Sequence, residues 1–297
     1  MIKSFSELWE TVKSRPSQRV VIPGADTISS IKAAIEGKSE GIADFILIGE
    51  EKIIRSMIRD QDPALESAFE IINESSPDTC VQIAVSEVKK GNAGLILKGK
   101  ITTSQLMNVI LNKERGLQTT GMLSDVFVFE TPDRLTLMTD GGIVMYPTVE
   151  EKIFLINNTV KVAHALGNPE PRVALIAAVE IINLKMPATV DAAIITQMNR
   201  RGQIPGCIVD GPLALDNAIS LESARIKGIE SHVAGFADVL IMPSIETGNT
   251  FGKALTYYAH LQVGHVVMGA QAPILITSRS DDSQTKLNSI ALGIICS

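Results

Sequence analysis

Aromatic side chains are scarce in this chain, at 4% of 297 residues, and no basic run interrupts a net charge of −6. A nucleic-acid surface needs clustered cations and stacking rings, so nucleic acid is excluded as the main partner, while local basic sites for small anions remain. Cysteine is equally sparse. Cys80, Cys207 and Cys296 are isolated, odd in number and without CxxC spacing, which excludes a disulfide framework and a zinc site and points to a reducing cytoplasm. His164, His232, His260 and His265 are scattered and read as structural, so no metal is expected. No apolar run approaches the roughly 20 residues needed to span a bilayer, so no membrane partner is expected. Residues 1–13 place Phe5, Leu8, Trp9 and Val12 on one helical face with acids between them, which is not the pattern of a signal peptide. The first βα turn, Pro23-Gly24-Ala25-Asp26-Thr27, lacks GxGxxG, and GxxxxGK[ST] occurs nowhere. The usual dinucleotide and ATP modes are therefore disfavoured, and Gly24 reads as a turn requirement.

What is present is a chain 45% hydrophobic and 20% charged, able to bury a large core and long enough for two domains. Short β-branched runs alternate with helical patterns, which predicts an α/β architecture with a largely parallel sheet. Strands are predicted at 19–22, 44–48, 94–97, 125–129, 135–139, 172–177, 207–209, 239–242, 265–268 and 273–276. The turn 130–134 is short enough to join two of them as an antiparallel hairpin. Beyond it, Thr148 and Glu151 form a capping box, Ile153, Ile156, Val160 and Ala163 line a helix face, and Gly167 ends the helix. We set the domain crossing here: 1–146 with 270–297 as a first, discontinuous α/β domain and 147–269 as a second. The cleft between two such domains is the expected ligand site.

Several strand ends carry the right chemistry for it. Pro273-Ile274-Leu275-Ile276 is a buried strand that breaks into Thr277-Ser278-Arg279-Ser280-Asp281-Asp282-Ser283, after which Leu287, Ile290, Ala291 and Ile294 recur at helical spacing. Helix N–H groups, the positive end of the helix dipole and Arg279 together suit a phosphate or carboxylate. The turn Lys98-Gly99-Lys100-Ile101-Thr102-Thr103 repeats the theme as a second anion clamp, with ordinary caps beside a solvated lysine pair as the bland alternative. Asp210-Gly211-Pro212 and Glu246-Thr247-Gly248-Asn249 add two more turns at strand ends, where open α/β sheets bind ligands.

At these residues the chain resembles the phosphate acetyltransferase and phosphate butyryltransferase family, more closely its butyryl branch. The resemblance covers essentially the whole chain and rests on LKGKITTSQLMNVILNKERGLQT, YPTVEEK, RGQIPGCIVDGPLALDNAIS, HVAGFADVLIMPSIETGNT and APILITSRSDDSQTKLNSIALG. It implies a two-domain, three-layer fold of the isocitrate/isopropylmalate dehydrogenase type, with mixed, mainly parallel sheets and an interdomain cleft. It also implies a cytoplasmic homo-oligomer built on dimers that moves a short acyl group between coenzyme A and phosphate. Acyl-CoA and phosphate would be its partners, the coenzyme A thioester being a substrate, with no permanently bound cofactor. The resemblance casts Arg279 as the phosphate ligand and transition-state cation, Ser278 as a hydrogen-bonding partner at the reacting carbonyl or sulfur, and Lys98, Gly99, Lys100, Thr103, Arg115, Asp140, Tyr146, Asp210, Gly248 and Asn249 as substrate-binding residues.

The base is ambiguous. The acetyl branch has an acid seven residues after the serine of its SR motif, where a gapless match puts Thr285; Asp281 and Asp282 are the nearest carboxylates, each able to serve as base or cap, and Asp281 is preferred. The family pattern also carries arginine where this chain has Asn108 and Gln118. Losing a charged hydrogen bond costs about 1.5–3 kcal/mol, with Lys98, Lys100 and Arg115 as candidates to compensate. Two other readings stay open. One is an NAD-dependent dehydrogenase on the same fold, for which Asp140, Asp210 and Asp216 give no local metal signature; the other is a non-catalytic paralogue that binds coenzyme A or an acyl phosphate.

Overall fold

The computed structural model describes residues 1–117, 119–277 and 281–297, with residue 120 described by its backbone alone. Gln118, Ser278 and Arg279 lie outside the described residues. In chain order the elements begin with α1 (Phe5–Lys13), β1 (Arg19–Pro23), α2 (Ile28–Ser39), β2 (Asp44–Gly49), α3 (Glu51–Gln61), β3 (Glu70–Asn73), α4 (Pro77–Lys89), β4 (Leu95–Leu97), α5 (Thr103–Ile110), β5 (Thr119–Glu130) and β6 (Leu135–Thr139). They continue with α6 (Val149–Ala165), β7 (Arg172–Ile176), α7 (Pro187–Arg200), β8 (Ile208–Leu213), α8 (Leu215–Ile219), α9 (Leu221–Ile226), β9 (Val239–Ile241), α10 (Ile245–Tyr257), β10 (Val263–Ala270), β11 (Ile274–Leu275) and α11 (Ser283–Ile295).

Two compact units divide the chain, Ser6–Gly121 with Gly264–Ser297 and Met1–Phe5 with Met122–Val263. The sequence reading sets the changeovers at 146 and 269; the compact units change over earlier at both, after Gly121, ahead of the hairpin, and after Val263. The reason is strand pairing: β6 runs parallel beside β9, and β9 beside β7, so the hairpin is built onto the strands of the second unit.

In the first unit the strand order is β3-β2-β1-β4-β11-β10, parallel throughout except that β10 opposes β11 at Val267↔Ile274. Val20, Val21, Ile22, Ile46, Leu47, Ile48, Leu95 and Ile96 are fully buried, which explains why these strands read as unbroken apolar runs instead of alternating ones. β3 escapes the sequence reading because it is a four-residue edge strand, EIIN, with neither residue of its apolar pair fully buried. The closing helix α11 is buried all round, so its apolar stripe understates its burial. Its polar residues are served internally: Asn288 Oδ1 accepts from Trp9 Nε1 at 3.1 Å, and Ser289 Oγ accepts from His265 N at 2.9 Å while donating to Thr285 O at 2.8 Å.

The second unit orders its strands β5-β6-β9-β7-β8, with only the β5–β6 pair antiparallel. Its core gathers Phe127, Phe129, Met138, Leu240 and Met242, and Phe251 of α10 meets Phe129 edge-on at 6.1 Å. Thr148 and Glu151 cap α6 reciprocally as the sequence predicts. Ile156, Val160 and Ala163 are buried, Ile153 is half-buried, and Gly167 follows in the left-handed region. β8 runs on through Asp210, Gly211 and Pro212 to Leu213 instead of ending at 209. As an edge strand it tolerates a proline, whose missing N–H costs no ladder bond on the open side.

Candidate functional site

In the first unit, the turns after β1 and β4 are zipped to each other. Gly99 N donates to Pro23 O at 3.1 Å and Lys100 N to Gly24 O at 2.7 Å. A β-carbon on Gly99 would lie 2.1 Å from Gly24 O, so glycine is required at 99 by close approach of two backbones. The two lysines of this turn have different duties. Lys98 curls back, its Nζ donating to Ile101 O at 3.0 Å, whereas Lys100 is exposed and reaches Asp26 Oδ2 at 3.5 Å, a solvated pair worth little. Thr102 is the cap of α5, in a reciprocal box with Gln105; Thr103 follows as the first helical residue and is exposed.

Arg115 is not part of that cluster. It lies beyond the far end of α5, a helix about 12 Å long, and lines a groove of about 680 Å³ with Asn108, Gln105, Asp78, Gln82 and Lys89. The groove lining therefore includes Arg115 and Asn108, and does not include Lys98, Gly99, Lys100 or Thr103. Before α11, Asp282 is the cap, its carboxylate accepting from Thr285 N at 2.8 Å, and the backbone carbonyl of Asp281 accepts from Lys286 Nζ at 2.7 Å. Thr285 is buried and its N–H is consumed by that cap.

In the second unit, Asp140, Tyr146, Gly248 and Asn249 are gathered around the first turns of α10. Asn249 Nδ2 donates to Gly141 O at 2.9 Å. A β-carbon on Gly248 would lie 2.2 Å from Asp140 O, so the helix abuts the β6 end directly. Ile245 N donates to Met145 O at 2.8 Å, and the Tyr146 hydroxyl bonds the Glu246 carboxylate. That bond holds Glu246 below the usual carboxylate range and raises the Tyr146 phenol. Asp210 stands elsewhere, within β8, and pairs with Arg200 at 3.6 Å.

Sequence reasoning misses Asp125. It sits at 9% exposure opposite Asp140 in the hairpin and delivers its backbone N–H to Asp140 Oδ2 at 2.8 Å. The signal lies in the hairpin register, because Phe127↔Met138 continued two residues outward pairs 125 with 140. Burial, first, and the like charge of Asp125, second, push Asp140 up to about 6 against three backbone hydrogen bonds that pull it down. The thiols are placed for packing: burial pushes Cys207 up to about 11 and Cys296 up to about 12. Among the described residues no group of three His, Cys, Asp or Glu is placed to hold a metal ion, and no helix is long and apolar enough to cross a membrane.

Against known proteins, the family model described as phosphate acetyl/butaryl transferase matches residues 75–294. A phosphate butyryltransferase from Clostridium acetobutylicum is 46% identical over 297 residues, covering 99% of this chain and 98% of the relative. Among solved structures, a branched-chain phosphotransacylase from Enterococcus faecalis V583 superposes with a TM-score of 0.83 at 30% identity, covering 94% of this chain and 98% of that one. A Salmonella typhimurium structure described as a 4-hydroxythreonine-4-phosphate dehydrogenase reaches a TM-score of 0.60 at 12% identity, covering 95% of this chain and 100% of that one. This last likeness concerns the fold alone and agrees with the dehydrogenase-type architecture expected from the sequence.

Proposed function

We propose that this chain, which belongs to the phosphate acetyl/butaryl transferase family, catalyses the reversible reaction of an acyl-CoA with phosphate to give an acyl phosphate and coenzyme A, with butyryl or a related short acyl group preferred. The observation that carries the reading is identity of 46% to a phosphate butyryltransferase along nearly the full length of both chains.

The chemistry asks for positioning and charge stabilisation more than for covalent catalysis. A phosphate oxygen attacks the thioester carbonyl, an oxyanion develops, the C–S bond breaks, and the sulfur leaves as thiolate and takes a proton. In the proposed assignment Arg279 binds the phosphate and offsets the growing negative charge, and Ser278 hydrogen-bonds at the carbonyl or the sulfur. Asp281 moves the thiol proton; its neighbour Asp282 being committed to the cap supports that choice. The Lys98-Gly99-Lys100 turn and Thr103, Arg115 in its groove, and Asp140, Tyr146, Asp210, Gly248 and Asn249 serve substrate binding or its geometry. Coenzyme A is a substrate, no permanently bound cofactor is invoked, and the enzyme works in the cytoplasm as a homo-oligomer built on dimers, with no nucleic-acid partner.

Substituting Arg279→Ala tests the assignment. Turnover should be abolished while the circular-dichroism spectrum and melting transition stay close to those of the unsubstituted protein; near-normal rates would overturn the role given to Arg279.

A further inference from the structure

Two carboxylates buried at the end of one hairpin are an unusual thing for a fold to retain, since a buried charge needs partners to offset its lost hydration. Asp140 is only 2% exposed, and its partners are backbone donors from two directions. Oδ1 accepts from Gly142 N and Ile143 N, both at 2.7 Å, and Oδ2 accepts from Asp125 N at 2.8 Å. The loop so gathered is fastened to α10 in turn, through Asn249 Nδ2 on Gly141 O at 2.9 Å and through the backbone approach of Gly248 to Asp140 O. Asp125 closes the other side: a β-carbon on Gly142 would lie 2.9 Å from its Oδ2.

An ionised carboxylate is an acceptor at both oxygens; a protonated one turns one oxygen into a donor. Three N–H groups converging on Asp140 therefore match its anion and mismatch its acid. We infer that Asp140 is a positioning residue for the acyl-transfer reaction, an ionisation-dependent latch that holds residues 141–143 against the first turn of α10 and is poised by the like charge of Asp125. The latch presupposes that reaction, and the geometry that supports it lies wholly within one compact unit. On β5 the charged group is Asp125; on α10 the first-turn acid Glu246 is bonded to the Tyr146 hydroxyl; on α6, which packs on β6, Lys152 is paired with Asp191 at 2.6 Å. Burial and Asp125 together place the release of the latch at a pH of about 6.

Two measurements test this, one free of activity. In amide NMR of the unsubstituted protein, the N–H signals of Asp125, Gly142 and Ile143 should titrate together with a midpoint near that of Asp140, and Asp125→Asn should move the shared midpoint to lower pH. Turnover with butyryl-CoA and phosphate, taken as the ratio of unsubstituted protein to Asp140→Asn so that substrate ionisation cancels, should fall about tenfold from pH 7 to pH 5, as one proton with a midpoint of about 6 requires. Amide midpoints in the ordinary carboxylate range, or indifferent to Asp125→Asn, would overturn the latch even in an active enzyme. A ratio flat with pH beside the expected amide titration would overturn its role in the reaction. Absence of turnover at every pH would count against the acyl-transfer reading, and with it the catalytic role of the latch, while the amide signals still decide whether the latch exists.

Discussion

Gly248 on α10 and Asp140 at the end of β6 are in backbone contact, so close that a β-carbon on the glycine would sit 2.2 Å from the aspartate carbonyl oxygen. One turn further along the same helix, a β-carbon on Gly252 would meet Met138 and Phe127 at an ordinary 3.5 Å. These two buried glycines separate close approach from mere burial.

Gly248→Ala should destabilise the fold by about 2 kcal/mol or more, the usual scale of overpacking a tight contact. Gly252→Ala should be neutral or gain about 0.5–1 kcal/mol from helix propensity. Urea denaturation of the two variants checks the pair; equal losses would show that the α10–β6 contact is not the constraint.

The stability effect of Asp140 runs opposite to its proposed role in turnover. Its carboxyl is raised from the ordinary 3.8 to about 6 by burial and by Asp125, so the fold favours the protonated form. The stability it contributes is complete below 3.8 and is lost as pH climbs through about 6. Relative to the unsubstituted protein, Asp140→Asn should therefore gain melting temperature between pH 4 and pH 7.5. A difference constant across that range, or one that moves against the variant, would contradict the raised value.

Lys152 and Asp191 join α6 to α7 at 2.6 Å, with the lysine side chain only 6% exposed. Asp191→Ala leaves that ammonium buried without its partner and should cost about 3 kcal/mol, whereas Lys152→Met with Asp191→Leu should recover most of the loss. Chemical denaturation of the single and double variants reads this directly.

Asn108 and Arg115 share one groove, which makes compensation for the arginine that the resemblance implies at 108 a local question. If Arg115 supplies a charged contact to substrate, Arg115→Ala should raise KM for acyl-CoA by roughly 10–150-fold, the equivalent of about 1.5–3 kcal/mol. Adding Asn108→Arg should then restore much of it. An unchanged KM in the single variant would remove Arg115 from substrate binding.

How much of this was legible in the sequence depended on whether the signal was local. The capping box of Thr148 and Glu151, the hairpin strands and the buried runs of β1, β2 and β4 are written in periodicity and spacing, and the structure contains them. Elements set by distant neighbours were harder. β3 is short and half-exposed, β8 continues through a proline because it is an edge, and the hairpin belongs to the unit whose strands it pairs with. At the candidate site the strand-end turns are visible in the sequence, yet Asp125 does not stand out, because its importance comes from facing Asp140 across two strands. Conversely Arg115, near the lysine turn in sequence, is separated from it by a helix.

The most direct test of the central claim is the release of free coenzyme A thiol from butyryl-CoA by the purified protein, with and without inorganic phosphate. Release should depend on phosphate, with butyryl phosphate formed in equal amount; no phosphate-dependent release from butyryl-, isobutyryl-, propionyl- or acetyl-CoA by folded protein would rule out acyl transfer to phosphate.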